Sequence, residues 1–576
     1  MNFRLFRPLT SWLLASALFG GHALAEAVLK VSGTAGIVEL ARTELPFNFQ
    51  DTTPGVDGMP FRLENAYSPQ GVIYDGSKPP TLSESNGTIT ASYDDKLSVS
   101  VHWLQGDNSL IYGDVTVTNH LPTPILGYTL DLLRLKFPTP VAANDGNPNL
   151  RAYNNGGPGL FCANYGGILP GAMIFDLEGV DATQPLLMKF ERGNPADFAG
   201  TLKVMNHHDY SDDGSPFPFW PVPASGSVHF RIALRFAGFR PDPVAVCSDL
   251  FAAFARLYPV MKNVMSWPDR RPIAQVFFES DNTNGGLNPR KWFGAEDKIN
   301  VTTPAGIKRF QNMVFERAHQ ALARMKKMNA QGVITWDIEG AEYPDSTYMG
   351  DPAKLATADP AQSVAPEMAQ IVDRYFKIYR DAGYRIGMTI RPQKVILQRD
   401  AAGHVTHAWE NDDNWLGKGD PPQDLQAFWQ HELETKIRFA RQRWGATLFY
   451  IDSNGAAGGP ISFLIVRNLA AEFPDVLLIP EHSTLGYYGA CAPYRQLNML
   501  SAENITPPVV RRTYTGSDGR SPCFSVINPT IESITRSWPQ LIQEVRAGDI
   551  LFFRAWYDAA ELPAIRQAYI QAKGKL

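Results

Sequence analysis

The sequence predicts an antiparallel β-sandwich followed by a (β/α)8 barrel. Three observations carry this. Apolar and polar residues alternate with period two through roughly the first 240 positions. Strand and helix patterns alternate eight times from Ile273 onward. Polar residues gather where those later strands stop. The chain has 576 residues, of which 44% are hydrophobic and 19% charged. That composition excludes a mainly disordered protein and leaves ample chain for large cores. A formal net charge of −5 gives no general attraction to nucleic acid or to an anionic membrane. Four cysteines are too few for a disulfide-built scaffold.

The N-terminus reads as a secretory signal over residues 1–25. Arg4 and Arg7 supply positive charge, Trp12 to Phe19 is apolar apart from Ser16, and Ala23-Leu24-Ala25 is a small-x-small cleavage site before Glu26. A membrane anchor or buried first helix is the alternative, but the run is short for a bilayer of ~30 Å. No other stretch approaches ~20 apolar residues, so no span is expected after cleavage. A periplasmic or secreted location follows as an expectation. Export would permit disulfides among Cys162, Cys247, Cys491 and Cys523. The spacing leaves the pairing open, and buried free thiols are equally compatible.

The sandwich is expected over residues 26–240. Leu97, Val99, Val101 and Trp103 alternate with Ser98, Ser100 and His102; Val115 and Val117 alternate with Thr116 and Thr118; Val228 to Phe236 repeats the pattern. Turn-rich intervals such as Asn154 to Gly159 separate the runs. Residues 241–271 read as a helical linker. Val246, Leu250, Phe251, Phe254 and Leu257 recur at helical spacing after Pro243, and Asp269-Arg270-Arg271-Pro272 ends the junction.

The barrel is expected over residues 272–576. Its first strand is Ile273 to Phe278, followed by a helix capped by Thr303 with Pro304 at its first position, running to about Asn329. Gly332 to Trp336 is the second strand. A helix from Glu367 to Ala382 precedes the third, Arg385 to Ile390. A helix from Leu425 to Trp444 precedes the fourth, Ala446 to Ile451. Ile461 to Phe473 is helical and Val476 to Ile479 is the fifth strand. The sixth, near Leu497 to Leu500, is weakly marked. Phe524 to Ile527 is the seventh, followed by a helix from Ile531 to Ala547. Ile550 to Phe553 is the eighth, followed by Leu562 to Lys573. An open doubly wound sheet is the competing architecture, but no Gly-rich phosphate loop follows the first strand.

Catalytic side chains of such barrels come from the C-terminal ends of strands. Glu279 and Asp281 follow the first strand, Asp337 and Glu339 the second, Arg391 the third, Asp452 the fourth, Glu481 and His482 the fifth, and Asn528 the seventh. Arg554, Trp556 and Tyr557 follow the eighth. Two carboxylates with aromatic surfaces are what glycoside hydrolysis needs: an acid for the leaving oxygen, and a nucleophile or base for the anomeric carbon. Asp452 is the candidate nucleophile and Glu481 the candidate acid/base, its basicity expected to rise in the apolar setting of Leu477 to Pro480. Asp337 and Glu339 are the competing pair, or bind sugar hydroxyls if the strand stays extended. Arg391 suits a carboxylate or an acidic sugar, and His482 and Asn528 suit substrate hydroxyls. Trp336, Tyr343, Trp556 and Tyr557 offer flat faces for pyranose rings.

The segments Ile334-Thr335-Trp336-Asp337-Ile338-Glu339-Gly340, Leu448 to Asn454 and Leu477 to His482 resemble those of TIM-barrel glycoside hydrolases preceded by a β-sandwich. An Asp after the fourth strand and a Glu after the fifth resemble the nucleophile and acid/base of the α-amylase clan. The Asp also resembles that of the α-galactosidase clan. The resemblance implies a retaining attack on an α-glycoside. Tyr450 stands where the α-amylase pattern has arginine, and Asn528 ends the seventh strand where that pattern carries a late His–Asp pair.

No cofactor or metal is expected, and the expected partner is a carbohydrate. Asn206-His207-His208-Asp209, near Asp212 and Asp213, reads as a solvated loop rather than a metal site. Asp281 to Gly285 lacks the ligand spacing of an EF-hand. No Gly-x-Ser-x-Gly elbow or His-Glu-x-x-His helix occurs. The competing functions are a noncatalytic carbohydrate-binding or envelope-assembly protein, and a polysaccharide lyase or transglycosidase.

Overall fold

The computed structural model describes residues 27–572 apart from 33–36, 43–44, 49–61, 107–109, 137–151, 154–159, 166–170, 179–185, 193–198, 209–216, 219–220, 238–242, 279–284, 341–349, 411–424, 453–460, 497–506, 516–518, 530–533 and 536–537. The expected signal segment, the Asn154 to Gly159 turn, Asp209, Asp212, Asp213, Glu279, Asp281, Tyr343, Asn454, Leu497 to Leu500 and Ile531 therefore lie outside the described residues.

Two antiparallel sheets face each other in the first part of the chain. One runs in the order Ala152–Tyr153, Leu187–Arg192, Ala199–Met205, Gly127–Lys136, Arg62–Ser68, Gly71–Tyr74. The other runs Leu160–Tyr165, Gly171–Glu178, Ser227–Ala237, Leu110–Asn119, Leu97–Gln105, Thr88–Tyr93, Thr81–Ser85. Their inner faces share one apolar core. Leu63, Ala66, Tyr128, Leu130 and Val204 of the first sheet meet Val99, Val101, Val117, Phe230 and Ile232 of the second. Strict alternation produces this: along Leu97–Trp103 and Leu110–Asn119 every second residue is buried. The Leu63 N–H donates to the Tyr93 hydroxyl at 2.7 Å, a polar tie between the sheets. Asn206 is buried in this region. It accepts from the Tyr128 N–H at 2.7 Å and donates to the Leu126 carbonyl at 3.2 Å, so its amide secures a strand end.

The linker helix is broken. Pro243–Val246 and Ser248–Leu257 flank Cys247, and Lys262–Met265 follows. Leu250, Phe251 and Phe254 are buried as the spacing implies, but Leu257 is 72% exposed. The helix ends there, and the chain turns at Tyr258 before the next turn would cover that side chain.

Eight parallel strands follow: β1 (Ile273–Val276), β2 (Gly332–Thr335), β3 (Arg385–Ile390), β4 (Leu448–Ile451), β5 (Leu477–Pro480), β6 (Tyr494–Gln496), β7 (Val526–Asn528) and β8 (Ile550–Arg554). They pair in the order β5-β4-β3-β2-β1-β8-β7-β6. The two ends of that order meet where the Ala492 N–H donates to the Leu478 carbonyl at 3.1 Å. The sheet thus comes nearly full circle, the (β/α)8 arrangement rather than an open doubly wound sheet. The sixth strand lies earlier than the apolar run at Leu497 to Leu500 suggests, because Tyr494-Arg495-Gln496 pairs with β7 instead. The long helix Pro304–Met328 is capped as expected: the Thr303 hydroxyl accepts from the Gly306 N–H, and Asn329 adopts the left-handed conformation at the far end. The helix expected from Glu367 to Ala382 is interrupted into Pro366–Ala369 and Val372–Asp381. A hairpin, Val395–Arg399 with Val405–Glu410, follows β3 and carries no strong period in the sequence.

Period-two alternation sorts the barrel residues into two layers. Ile273, Ile334, Leu448, Tyr450, Leu477, Ile479, Ala492, Tyr494, Phe524, Val526, Ile550 and Phe552 fill the interior. Their neighbours, such as Val276, Val333, Met388, Phe449, Leu478, Ile527 and Leu551, pack under the helices. β3 brings Gly387 to the interior level, where the β4 backbone crosses closely. A Cβ on Gly387 would meet the Leu448 carbonyl oxygen at 1.9 Å. At the N-terminal end, Trp267 closes the barrel under the Arg385 guanidinium, 5.2 Å from the ring centre. An open cleft of about 720 Å³ beside it is lined by Trp267, Asp269, Arg271, Arg385 and neighbours. Its charges are mutually tied, Asp269 receiving both Arg271 (2.6 Å) and Arg385 (3.2 Å).

The close approach at Gly387 makes a direct prediction. Gly387→Ala forces β3 and β4 apart and should destabilise the barrel by about 3 kcal/mol, the upper part of the overpacking range. Thermal unfolding followed by circular dichroism measures this. An unchanged Tm would show that the strands can separate freely.

Candidate active site

The mouth of the barrel is built by continuing the same alternation one step past the apolar interior. The last interior layer is a closed ring of four aromatics from alternate strands: Trp336 after β2, Tyr450 on β4, Tyr494 on β6 and Phe552 on β8. Successive ring centres lie 4.1, 5.3, 6.1 and 5.6 Å apart around it. Layers contributed by alternate strands are how such barrels fill. Phe277 stacks on Trp336 at 5.7 Å with 20° between planes, and Trp556 tilts against Phe277 at 5.2 Å.

Above this floor, Arg391, Asp452 and Glu481 form one row across three adjacent strands. Ile390 pairs with Ile451, and Ile451 with Pro480. The ladder continues one residue further, the Asp452 N–H donating to Ile390 and the Glu481 N–H to Ile451, each at 2.9 Å. Because Tyr450 and Ile479 point inward, so do Asp452 and Glu481, two residues on. Arg391 Nε donates to Asp452 Oδ2 at 2.7 Å, with both side chains nearly enclosed. Glu481 is more open, its side chain 34% exposed, with His482 Nε2 at 3.7 Å from its Oε2. The closed apolar setting expected from Leu477 to Pro480 is therefore not what surrounds Glu481: Leu477 and Ile479 lie below it in the barrel, and Leu478 faces the helices.

Polar groups continue round the rim. Asn528 Nδ2 and Gln496 Nε2 each donate to the Tyr494 hydroxyl at 3.0 Å. Burial holds the Tyr494 phenol above its ordinary value, and the nearby charge of Glu481 adds to this. Arg554 donates to the Tyr557 hydroxyl at 2.9 Å. Trp556 is half-buried and Tyr557 is 40% exposed, so both present surface at the mouth beside β8.

Asp337 and Glu339 do not join this group. Asp337 follows inward-facing Trp336 and so turns outward, fully buried. The Phe278 N–H donates to its two oxygens at 2.9 and 2.8 Å. Arg317 and Tyr375 of the helical layer feel its charge. The strand stops at Thr335, so Glu339 is not carried along in extension. It is 2% exposed and accepts from the backbone N–H groups of Gly350 and of Asp351, the latter at 3.3 Å. Gly350 itself lies against the backbone of Ile390 and Arg391. The structure places this pair, expected to bind substrate, outside the row at the mouth, with each carboxylate on main-chain donors away from solvent.

Three contributors were not evident in the sequence. Tyr494 and Gln496 sit on the misplaced sixth strand, which has no apolar alternation to mark it. Lys436 lies on the helix Leu425–Trp444 and is 2% exposed; its ammonium donates to the carbonyls of Arg391 (2.8 Å) and Gln393 (2.6 Å). Its burial comes from packing of that helix on β3, which the sequence does not mark. Among the described residues, no group of three or more His, Cys, Asp or Glu side chains is arranged to hold a metal ion. No described helix is long and apolar enough to cross a membrane.

Comparison with known proteins gives no matching family model and no matching curated sequence. Among solved structures, a GH31 α-xylosidase from Xanthomonas citri is 8% identical, with 96% of this chain and 75% of that chain covered at a TM-score of 0.30. A GH31 α-xylosidase from a soil metagenome complexed with xylose is also 8% identical, covering 82% of this chain and 77% of that chain at 0.30. A noncanonic maltogenic α-amylase from Thermotoga neapolitana is 12% identical at 0.22, over 40% of this chain and half the length of the amylase. These structural neighbours are glycoside hydrolases.

Burial pushes the Glu339 carboxyl up to about 7 from 4.5. Its folded value lies above its unfolded one, so its contribution is fully present below pH 4.5 and is lost as pH rises toward 7. Glu339→Gln keeps an acceptor without the charge. The variant should therefore gain on the wild type by roughly 3 kcal/mol between those pH values, read as a difference in Tm across a pH series. Lys436→Met strands two buried carbonyls and should cost roughly 1–3 kcal/mol, whereas Lys377→Met on the exposed surface should stay within about 0.5 kcal/mol.

Proposed function

We propose that this protein is a retaining glycoside hydrolase acting on an oligo- or polysaccharide. One observation carries the reading: Asp452 and Glu481 are in-register neighbours on adjacent strands, both directed into the mouth above an aromatic floor. Backbones of neighbouring strands run about 4.8 Å apart. Two inward carboxylates at that spacing suit the separation of roughly 5–5.5 Å used for a covalent glycosyl intermediate, and leave no room for a water between them and an anomeric carbon.

In this reading Asp452 attacks the anomeric carbon while Glu481 gives its proton to the departing glycosidic oxygen. Glu481 then takes a proton from the water that releases the sugar from Asp452. Arg391 fixes the direction of the Asp452 carboxylate, and Lys436 fixes the backbone that carries Arg391. Glu481, the more open of the pair, is reached by solvent for the second step. Trp556 and Tyr557 supply flat faces at the rim for sugar rings. The N-terminal pattern of residues 1–25 supports export to a compartment where polysaccharides are met.

A second reading is favoured by one feature. The Arg391–Asp452 pair is nearly enclosed, as in a binding protein whose rim holds a glycan without cleaving it. The two readings part on turnover. Against a polysaccharide panel, the wild type should release reducing ends, and the first-formed anomer, followed by NMR, should keep the configuration of the substrate. Glu481→Gln should lower kcat by roughly 10²–10⁴-fold with an unchanged circular dichroism spectrum. Asp452→Asn should abolish turnover, with its fold verified separately because Arg391 loses its partner. Binding without product in the wild type would replace the enzyme by the binding protein, and an inverted first product would remove Asp452 as nucleophile.

A further inference from the structure

Strands β6 and β7 each carry a cysteine three residues ahead of their first paired position. Tyr494 lies opposite Val526 in the parallel ladder, and the Val526 N–H donates to the Pro493 carbonyl at 3.0 Å. Cys491 and Cys523 precede that first pair by the same three residues, and both are free, buried thiols in the structure. The faces agree as well. Ala492 and Tyr494 on one strand, and Phe524 and Val526 on the other, fill the barrel interior. Cys491 and Cys523 both belong to the layer beneath the helices. Their sulfurs reach consecutive carbonyls of one turn: Cys491 Sγ donates to Tyr487 at 3.1 Å and Cys523 Sγ to Tyr488 at 3.3 Å. Neighbouring strands run about 4.8 Å apart, and a disulfide spans roughly 4.4–6.8 Å between Cα atoms, so cysteines just ahead of two adjacent strands are within range of each other.

We propose that Cys491 and Cys523 are a disulfide site that ties β6 to β7 when the chain folds under oxidising conditions. The oxidant is a thiol-derived disulfide, such as oxidised glutathione. The Cys491 thiolate attacks it, forming a mixed disulfide and releasing one glutathione thiol. The Cys523 thiolate then attacks Cys491 Sγ and releases the second. The protein loses two electrons and two protons, and one glutathione disulfide becomes two thiols.

The surroundings also set the timing. Burial pushes both thiols up, Cys523 to about 12, and the nearby Cys523 adds to the rise at Cys491. Thiolate is the attacking species, so the folded dithiol exchanges slowly near neutral pH. Closure therefore belongs to folding, before the helices cover the pair. The bond reinforces a sparsely paired arc of the barrel. β6 holds β7 through three paired residues, and its junction with β5 rests on the Ala492–Leu478 hydrogen bond. The rim groups Tyr494, Gln496 and Asn528 lie just downstream on the two tied strands.

The test uses the full-length chain, denatured, reduced and refolded with or without oxidised glutathione. It is then alkylated in denaturant and digested without reductant for mass spectrometry. The oxidised sample should contain a Cys491–Cys523 cross-linked peptide, expose two fewer of its four thiols, and melt at higher temperature than the reduced sample. Cys523→Ser should lose the peptide and the gain in Tm together. Mapping the same protein produced in an oxidising host compartment makes the result independent of refolding yield. Full alkylation of both cysteines in the oxidised samples, or a bridge from either to Cys162 or Cys247, would overturn the proposal.

Discussion

The ring of Trp336, Tyr450, Tyr494 and Phe552 is the constraint from which the mouth takes its shape. Four large side chains from alternate strands close the barrel at one level, and their contacts run unbroken around it. Below the ring the interior is apolar and filled. Above it each strand offers one more inward position before it ends, and those positions are mostly polar: Arg391, Asp452, Glu481, Gln496, Asn528 and Arg554. The ring excludes water from beneath, so charges set on it meet solvent from one side only. Electrostatic interactions there are stronger than on an open surface.

Holding charges at such a level requires supports that are themselves buried. Asp452 is oriented by Arg391, and the Arg391 carbonyl is gripped by Lys436 from the helical layer. Gly350 lies on the Arg391 backbone from another side and is fastened by Glu339. The polar core of β3 is thus linked, step by step, to groups that never reach the mouth. Lys436 has its bonds to two strand-end carbonyls, which fixes the end of β3 and with it the direction of the arginine. Buried charged groups are costly unless fully bonded, so their presence around one strand marks where position matters most.

Much of this was readable in the sequence because two periods govern it. Alternation exposes the sandwich strands, where inward Val99, Val101 and Val117 are large and outward Ser98, Ser100 and Thr118 are polar. The long helix from Pro304 is marked by its threonine cap and by Asn329 beyond its end. What failed to show was structure held by neighbours rather than by its own pattern. The Tyr494-Arg495-Gln496 strand has no apolar rhythm and is strand only because β7 pairs with it. The break at Gln370 and Ile371, the exposure of Leu257 and the hairpin after β3 are likewise set by tertiary contacts.

The carboxylates show how far local reading reaches. Asp337, Glu339, Asp452 and Glu481 all follow apolar strands, and residue type does not separate them. Parity does. Trp336 faces inward, so Asp337 must face the helices, where the Phe278 N–H meets it. Tyr450 and Ile479 also face inward, and Asp452 and Glu481, each two residues on, keep that direction. A sequence can be assigned this parity only when the inward residue of each strand is known. In strands buried on both faces, apolar residues occupy both phases and hide it. The aromatic level supplies the missing phase. Once Trp336 and Tyr450 are identified as ring partners, the in-or-out direction of the acids on β2 and β4 follows from counting, without reference to the loops beyond them.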